Sequence, residues 1–292
     1  MVELRNYEQL KAFLKKESKR LNLSIKNTYN TFFSRLLLYR LSQKNIDQSI
    51  IVKGSFAQFV HLRNMVRPIT DIDITSIESH HDPFIILVNA MCNDEIANGI
   101  KYNLSGKPHQ TYTGIYKIPI SAKYGKIDHK IGIDYREKHP CIFEKEIKSV
   151  PKIFKFDEEY DIVVPSKEET LAEKLCIIVE SNRPDLINTR IKDFYDIYQM
   201  HGGEYDLDKF SYYFERMLEK RGKIDIKDAS TNFLTPEFVN KHQQEWEHSK
   251  KKYEFLDDQI DLEGSVYYTR AVLSEQLQKI RQGKNKIYTF EK

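Results

Sequence analysis

The sequence predicts an α+β fold, in which a mixed sheet flanked by helices is followed by a mainly helical region. The sheet is indicated by two stretches in which apolar and polar residues alternate, residues 69–75 and 112–135. Alternation with a period of two is typical of strands. The helices are indicated by apolar residues that recur at helical spacing, in residues 6–45 and from residue 205 to the end.

Local signals separate these elements along the chain. A glycine turn follows the first strand, and Ser166 with Glu169 forms a capping box at the start of a helix. The composition changes near Pro165, so we expect two domains, residues 1–164 and residues 165–292. The expected elements are helices in residues 6–45, a strand at 50–53, a helix at 56–62, a strand at 69–75, a helix at 83–97, two or three antiparallel strands between 112 and 135, and helices at 166–181 and 190–200.

The composition is that of a globular protein and excludes several other classes. The chain has 292 residues, of which 30% are charged and 40% are hydrophobic. The net charge of +3 is too small to indicate nucleic-acid binding by itself. The N-terminal segment is charged throughout and no long apolar run follows, so we expect neither a signal peptide nor contact with a membrane. Cys92, Cys141 and Cys176 fit no zinc site or disulfide framework, which favours reduced thiols in the cytoplasm.

The most informative motif is a pair of aspartates, Asp71 and Asp73, in the second predicted strand. Side chains along a strand alternate between its faces, so both carboxylates share one face and Ile72 takes the other. Mg²⁺ compensates two such charges and leaves coordination positions for phosphate. Upstream, Gly54 and Ser55 form a turn, followed by a helix N-terminus, where N–H groups could bind a phosphate. This combination is what metal-dependent nucleotidyl transfer requires, and the alternative is an exposed strand with solvated aspartates.

A third carboxylate is expected from the strand near Tyr135. Asp134 points to the face opposite Ile133 and Tyr135, beside Gly132. If this strand neighbours the one with the paired aspartates, three carboxylates converge. That arrangement suits two-metal nucleotidyl transfer, in which one metal lowers the pKa of the attacking hydroxyl and the other neutralises the leaving pyrophosphate. Asp128 is the competing candidate, although its polar surroundings indicate a hairpin turn, and Asp134 could also be an ordinary surface residue.

Further charged residues of interest lie in the predicted helical region. Lys174 flanks the apolar stripe of its helix, so its side chain could extend from that face and bind a phosphate. Asp193 and Asp196 lie three residues apart on one face of the next helix, and Asp193 could orient Lys174 or a nucleotide. Arg190 could help to bind phosphate. For each of these residues taken singly, a solvated helical surface is the competing interpretation.

Four blocks, in this order, closely resemble the AbiEii/AbiGii toxin family of nucleotidyltransferases: KGSFA…RPITDIDIT, IGID, EETLAEKL and RIKDFYDIY. The four blocks lie within residues 50–200. The first block departs from the family's pattern at one position, because Ser55 stands where a second glycine is usual. The resemblance implies a polymerase-beta-like nucleotidyltransferase domain followed by a mainly α-helical C-terminal domain. It assigns Gly54 and Ser55 to the nucleotide-binding turn, Asp71 and Asp73 to the metal ligands, Asp134 to the third strand carboxylate, and Lys174 and Asp193 to the family's essential downstream lysine and aspartate.

The resemblance also implies a biological role, that of a cytoplasmic bacterial toxin from a toxin–antitoxin or abortive-infection pair, active in phage defence. The implied enzyme uses an NTP and Mg²⁺, with a two-ion site, and adds a nucleotide to RNA such as the 3′ end of tRNA. The implied partner is an antitoxin, a DNA-binding repressor encoded alongside.

The sequence leaves the acceptor open. The basic stretches Lys250–Lys252 and Arg281–Lys286 could contact an RNA backbone, with Tyr253 and Phe255 close enough to stack on bases. A solvated helical surface is the competing interpretation. The alternative function is a small-molecule nucleotidyltransferase, such as an antibiotic-modifying enzyme, and a third is a nucleotide-binding module without turnover.

Overall fold

The computed structural model describes residues 6–43, 50–76, 83–92, 95–96, 99–137, 139, 141–155, 157–181, 190–202, 204–257 and 259–282. The helices in this part of the chain are α1 (Tyr7–Arg20), α2 (Ile25–Gln43), α3 (Gly54–Leu62), α4 (Pro83–Met91), α5 (Lys167–Glu180), α6 (Ile191–His201), α7 (Leu207–Arg221), α8 (Pro236–Tyr253) and α9 (Leu262–Arg281). The strands are β1 (Ile50–Val52), β2 (Asp71–Ser76), β3 (Glu95–Ile96), β4 (Ile100–Leu104), β5 (His109–Gln110), β6 (Ile115–Tyr124), β7 (Ile127–Arg136), β8 (Lys145–Ser149) and β9 (Asp161–Pro165).

The chain divides into two compact units. The first comprises Met1–His139 and Lys145–Pro165, and the second comprises Pro140–Glu144 and Ser166–Lys292. The first unit contains a mixed sheet with the strand order β1-β2-β7-β6-β4-β3, to which β5 adds by pairing with β6. Within it β2 and β7 are parallel, and the other pairs are antiparallel. A separate two-stranded sheet pairs β8 with β9.

One face of the mixed sheet is buried under helices. Ile72 of β2 and Ile133 of β7 are fully buried on this face, and each such side chain stabilises the fold by about 1.5–3 kcal/mol. Helix α2 packs on the same face, where the Phe33 ring stacks on the His129 ring with 5.6 Å between centroids. Since side chains alternate along a strand, the aspartates of β2 and β7 lie on the opposite face.

Two predicted helices have different limits in the structure. The helix expected at 56–62 begins at Gly54, so the glycine and serine form its first turn rather than a turn before it. The helix expected at 83–97 ends at Met91, and Glu95–Ile96 is a short strand instead. The apolar run that predicted this helix ends at Cys92, so a longer helix would have had no face to bury.

The second unit is helical, and its first helix confirms the predicted start. Ser166 caps α5 by accepting a hydrogen bond from the Glu169 N–H at 3.2 Å. The Glu169 carboxylate does not complete a capping box, because it accepts the N–H groups of Phe143 at 3.0 Å and Glu144 at 2.9 Å. These two bonds hold Phe143 and Glu144 against α5 within the second unit.

Candidate active site

The paired aspartates lie as expected on the strand β2. Ile72 and Ile74 are buried, whereas Asp71 and Asp73 are half-buried on the other face. In the parallel register with β7, Asp73 is opposite Asp134 and Asp71 is opposite Gly132. Neighbouring strands lie about 4.8 Å apart, and opposed residues point to the same face. The register therefore brings Asp71, Asp73 and Asp134 together on one side of the sheet.

The register also separates Asp134 from its competitor Asp128. The expectation that Asp128 lies in a hairpin turn is wrong, because Asp128 is within β7 and pairs with Lys123 of β6. The turn is formed instead around Gly125, which has a φ of +56°. Asp128 precedes Asp134 by six residues on the same strand, which is about 20 Å at 3.3 Å per residue. Asp134 is thus the aspartate of β7 that lies beside Asp73.

Gly54 brings the start of α3 into contact with Asp73. Its φ is +62°, and a Cβ built on it would lie only 1.9 Å from Oδ2 of Asp73. The backbone also joins the two elements, because the Lys53 N–H donates to the Asp73 carbonyl oxygen at 2.8 Å. Any larger residue at Gly54 would displace the carboxylate, which explains why a glycine is required here.

The first turn of α3 offers hydrogen-bonding groups to an anion. The first N–H groups of a helix have no partner within it and carry a partial positive charge. Lys53, the N-cap residue, makes no capping bond with its side chain, and its Nζ lies 3.0 Å from Nε2 of His139. The Ser55 hydroxyl is buried and has no hydrogen-bond partner among the described residues. Such a buried hydroxyl costs about 1–3 kcal/mol unless a ligand pairs with it, and a phosphate oxygen would do so.

Lys117 of β6 was missed at the sequence level. It pairs in register with Asp134, and its Nζ donates to Oδ2 of that carboxylate. Among the described residues, no group of three or more histidine, cysteine, aspartate or glutamate side chains is arranged to hold a metal ion. Asp71 and Asp73 nevertheless suit Mg²⁺, which proteins commonly bind through one or two carboxylates together with substrate phosphates. The role of Asp134 as a further ligand remains a prediction.

The second unit contains a buried ion cluster built from α5 and α6. The Nζ of Lys174 lies 3.2 Å from Oδ1 of Asp193 and 2.7 Å from Oδ2 of Asp196. Lys174 is 8% exposed, Asp193 4% and Asp196 0%. The competing interpretation, a solvated helical surface, is therefore wrong for all three residues. Sequence reasoning brought Lys174 and Asp193 together, but it did not identify Asp196 as the nearer partner of the lysine.

One oxygen of this cluster has no hydrogen bond. Oδ2 of Asp193 is buried and has no partner among the described residues. With one lysine and two aspartates, the cluster carries a net negative charge when all three are ionised. Arg190 is exposed at the N-cap of α6, where its carbonyl oxygen accepts the Asp193 N–H at 2.8 Å. The structure thus links Arg190 to Asp193 through the backbone.

The aromatic residues near the first basic stretch differ in their surroundings. Phe255 is buried and stacks on Tyr195, with 4.0 Å between ring centroids, so it was wrong to expect it to stack on a base. Tyr253 lies at the end of α8, with Nζ of Lys192 at 4.9 Å and Nζ of Lys252 at 5.0 Å from its ring centroid. These contacts form a small cationic surface around Tyr253.

The second basic stretch is only partly described. Residues 283–286 lie outside the described part of the chain. The Arg281 guanidinium donates to the Ala229 carbonyl oxygen at 2.6 Å.

Thiol chemistry has no support in the structure. Cys92, Cys141 and Cys176 are free and buried. Burial raises the pKa of Cys92 and raises that of Cys176 well above its usual value, which disfavours the nucleophilic thiolate. Within the described residues, each helix is too short or too polar to cross a lipid bilayer.

Comparison with known families identifies the chain. Residues 36–272 match the family described as "Nucleotidyl transferase AbiEii toxin, Type IV TA system". The chain belongs to this AbiEii family. Membership confirms the resemblance drawn from the four sequence blocks, and it implies an antitoxin partner. Together with the mixed sheet and the helical second unit, it also confirms the predicted nucleotidyltransferase fold class.

Solved structures similar to this AbiEii protein include two from Helicobacter pylori. The crystal structure of JHP933 matches with a TM-score of 0.51 and 14% identity, over 90% of this chain and 96% of that chain. A putative nucleotidyltransferase matches with a TM-score of 0.44 and 14% identity, over 86% of this chain and 96% of that chain. The similarity to JHP933 supports the fold alone. Among proteins with a curated description, none matches the chain.

Proposed function

We propose that this AbiEii-family nucleotidyltransferase transfers a nucleotide from an NTP to an RNA acceptor, the 3′ end of tRNA, and thereby arrests bacterial growth. The observation that carries the proposal is the junction of α3 with β2. There Gly54 lies against the Asp73 carboxylate, and the buried Ser55 hydroxyl has no partner among the described residues. A phosphate-binding helix N-terminus directly beside a pair of carboxylates is what an NTP-dependent transferase needs.

The residues of the first unit would bind the NTP and its metal. The N–H groups at the start of α3 and the Ser55 hydroxyl would donate hydrogen bonds to the phosphates. Asp71 and Asp73, with Asp134 as the third carboxylate, would hold two Mg²⁺ ions. When bound, Mg²⁺ would activate the acceptor hydroxyl and neutralise the leaving pyrophosphate. In the transfer, the hydroxyl oxygen forms a bond to the α-phosphorus and the bond to pyrophosphate breaks.

The ion cluster of the second unit would contribute to nucleotide binding. We assign Lys174 to contact with the nucleotide, and Asp193 to orienting that lysine. Their contact at 3.2 Å and their burial support these roles, because a buried lysine held by carboxylates presents its charge in a fixed position. Arg190, which is exposed at the N-terminus of α6, is assigned to phosphate as well.

The RNA acceptor is supported by the helical unit. Lys250, Lys251 and Lys252 end α8, and the ammonium groups of Lys192 and Lys252 lie close to the Tyr253 ring. Lysines at such a surface contact RNA phosphates and make affinity fall as salt rises. A small neutral acceptor would need no such surface. The antitoxin partner implied by the family is proposed to be a DNA-binding repressor encoded beside the toxin, as part of a phage-defence system.

The test is a transfer assay with labelled NTPs, Mg²⁺ and total RNA, run beside a panel of aminoglycosides. We expect label in the tRNA band, and we expect the amount of label to decrease as the salt concentration is raised. Asp71→Asn should abolish the signal while the fold remains intact, because Asp71 is half-buried on the open face of the sheet. Asp128→Asn is the matched control, since it alters a carboxylate of the same sheet far from Asp73. Label only in a small-molecule product would overturn the RNA proposal in favour of the antibiotic-modifying alternative.

Growth arrest is tested with the same pair of variants. Induced expression of the wild type and of Asp128→Asn should stop growth of a bacterial host, whereas Asp71→Asn should not at equal soluble protein. Equal arrest by wild type and Asp71→Asn would separate toxicity from the transferase site.

A further inference from the structure

The third carboxylate is part of a row of three charged residues that crosses three strands. Asp73 of β2 is opposite Asp134 of β7, and Asp134 is opposite Lys117 of β6. Opposed residues share a face, so the row runs from carboxylate to carboxylate to ammonium. Asp134 therefore lies between a proposed metal ligand and a lysine.

The next row along the sheet leaves space beside these charges. It consists of Asp71, Gly132 and Pro119. A Cβ added at Gly132 would meet no atom of the described residues within 4 Å. The carboxylates of Asp71, Asp73 and Asp134 thus border an open part of the sheet face, with Lys117 on the far side of Asp134.

Lys117 and the open space beside Gly132 indicate how metal binding at this site is regulated. This proposal rests on the function proposed above. We propose that Lys117 is an internal counter-ion that holds Asp134 until a divalent cation binds, and so sets the metal concentration at which the site fills. Without a metal, three neighbouring carboxylates repel one another. The Lys117 ammonium compensates one of these charges through its contact with Oδ2 of Asp134.

The exposure of Lys117 and Asp134 allows a divalent cation to replace the ammonium group beside the carboxylate. The side chain of Lys117 is 45% exposed and that of Asp134 is 21% exposed. Ion pairs in such positions contribute at most about 1 kcal/mol, which corresponds to about fivefold in a binding constant. A divalent cation can therefore displace the ammonium, while the lysine still raises the concentration of metal that is required.

Removing the charge of Lys117 should therefore tighten metal binding. Lys117→Met retains much of the side-chain length but cannot compensate Asp134. We expect this variant to bind a divalent cation about two- to fivefold more tightly than the wild type. Lys117→Arg keeps the positive charge and should bind the cation as the wild type does.

Lys123 supplies a matched control on the same strand. It lies six residues after Lys117 and pairs with Asp128 of β7, with 3.8 Å between Nζ and Oδ2. Its side chain is 54% exposed. Lys123→Met removes the same charge from the same face of β6, but not from a carboxylate beside Asp73. It should therefore leave metal binding unchanged.

The experiment measures binding of Mn²⁺ to the full-length protein by electron paramagnetic resonance, without nucleotide, at fixed ionic strength. Tighter binding by Lys117→Met alone, which disappears when Asp134→Asn is added, is the expected result. Equal or weaker binding by Lys117→Met would overturn the counter-ion role and leave the transferase proposal intact. Equal tightening by Lys123→Met would overturn it too, since only net charge would then matter. A wild type that binds no Mn²⁺ would overturn the proposed metal site together with this inference.

Discussion

Replacement of Gly54 by alanine should greatly slow nucleotide transfer by displacing Asp73, while the protein still folds. Gly54 has a φ of +62°, and a Cβ at this position would lie 1.9 Å from Oδ2 and 2.8 Å from Cγ of Asp73. Both atoms belong to a side chain that can rotate. The variant should therefore fold, but with the Asp73 carboxylate moved from its native position.

The expected magnitudes follow from this geometry. Left-handed backbone costs an alanine about 1–2 kcal/mol relative to glycine, so the free energy of unfolding should fall by about that amount. The carboxylate must retreat by about 1 Å before its contact with the new Cβ reaches 3.0 Å, the limit of real contacts. Misplacing a reactive group by about 1 Å can reduce a rate by about 100-fold. We therefore expect a loss in transfer rate of about 100-fold or more.

Gly114→Ala separates the two effects. Gly114 also has a positive φ, +80°, but an added Cβ would meet no atom of the described residues within 4 Å. This control incurs the backbone penalty without the collision, so it should be destabilised similarly and retain full transfer. Rates are measured with labelled NTP, and stability by urea denaturation. If Gly54→Ala transferred nucleotide at a rate within a few-fold of Gly114→Ala, the proposed contact between α3 and Asp73 would have no catalytic importance.

Three further outcomes are expected. Gly132→Val should abolish transfer, because the valine side chain would fill the open space beside Asp71. It should not lower the melting temperature, because valine suits a strand. Retained transfer would show that this space is not used. Lys174→Met should lower the free energy of unfolding by about 3–5 kcal/mol in urea denaturation, since it leaves buried Asp193 and Asp196 without their cation; a loss below 1 kcal/mol would contradict this. Burial lowers the pKa of His129 in the folded protein below its usual 6.5. The neutral imidazole therefore contributes to stability above pH 6.5. This contribution is lost as the pH falls from 6.5 through the lower pKa of the folded state, because the unfolded chain binds the proton more readily. His129→Gln should weaken the decline of unfolding free energy below pH 6.5, and an unchanged slope would argue against that assignment.

The features that sequence predicted correctly depend on local periodicity. Alternation in β2 put Asp71 and Asp73 on one face because each side chain's direction follows from its neighbours along the strand. The start of α5 was predictable for the same reason, since Ser166 bonds to an N–H only three residues away.

The features that sequence missed depend on pairing between distant segments. Nothing near Asp134 specifies that β7 lies parallel to β2, so its proximity to Asp73 could be stated only as a condition. Lys117 is brought to Asp134 by the β6–β7 hairpin. The sequence analysis put the turn of this hairpin at Asp128, whereas it lies a few residues earlier, between Tyr124 and Ile127. An error of a few residues in a turn shifts the whole register, and with it every cross-strand contact.

The burial of α6 could not be predicted from its own residues. Charged side chains on a helix usually face solvent, so a solvated surface was the competing interpretation for Asp193 and Asp196. In the structure both aspartates are buried by their contacts with Lys174, and Tyr198 is 38% exposed. The amphipathic pattern fails here because an ion cluster, and not an apolar stripe, occupies part of the buried face.

The two lysine–aspartate groups differ in a way that suits different tasks. Lys174 is enclosed with two aspartates, and removing a buried charge from such partners is strongly unfavourable. It is therefore held in one position. Lys117 is half-exposed against Asp134, where the ion pair is weak enough to exchange with another cation. A site that must take up and release metal ions requires the second kind of pair, whereas a fixed contact to a nucleotide requires the first. The exposure of each lysine thus matches the role proposed for its carboxylate partners, which remain available to a ligand beside Lys117 and are occupied beside Lys174.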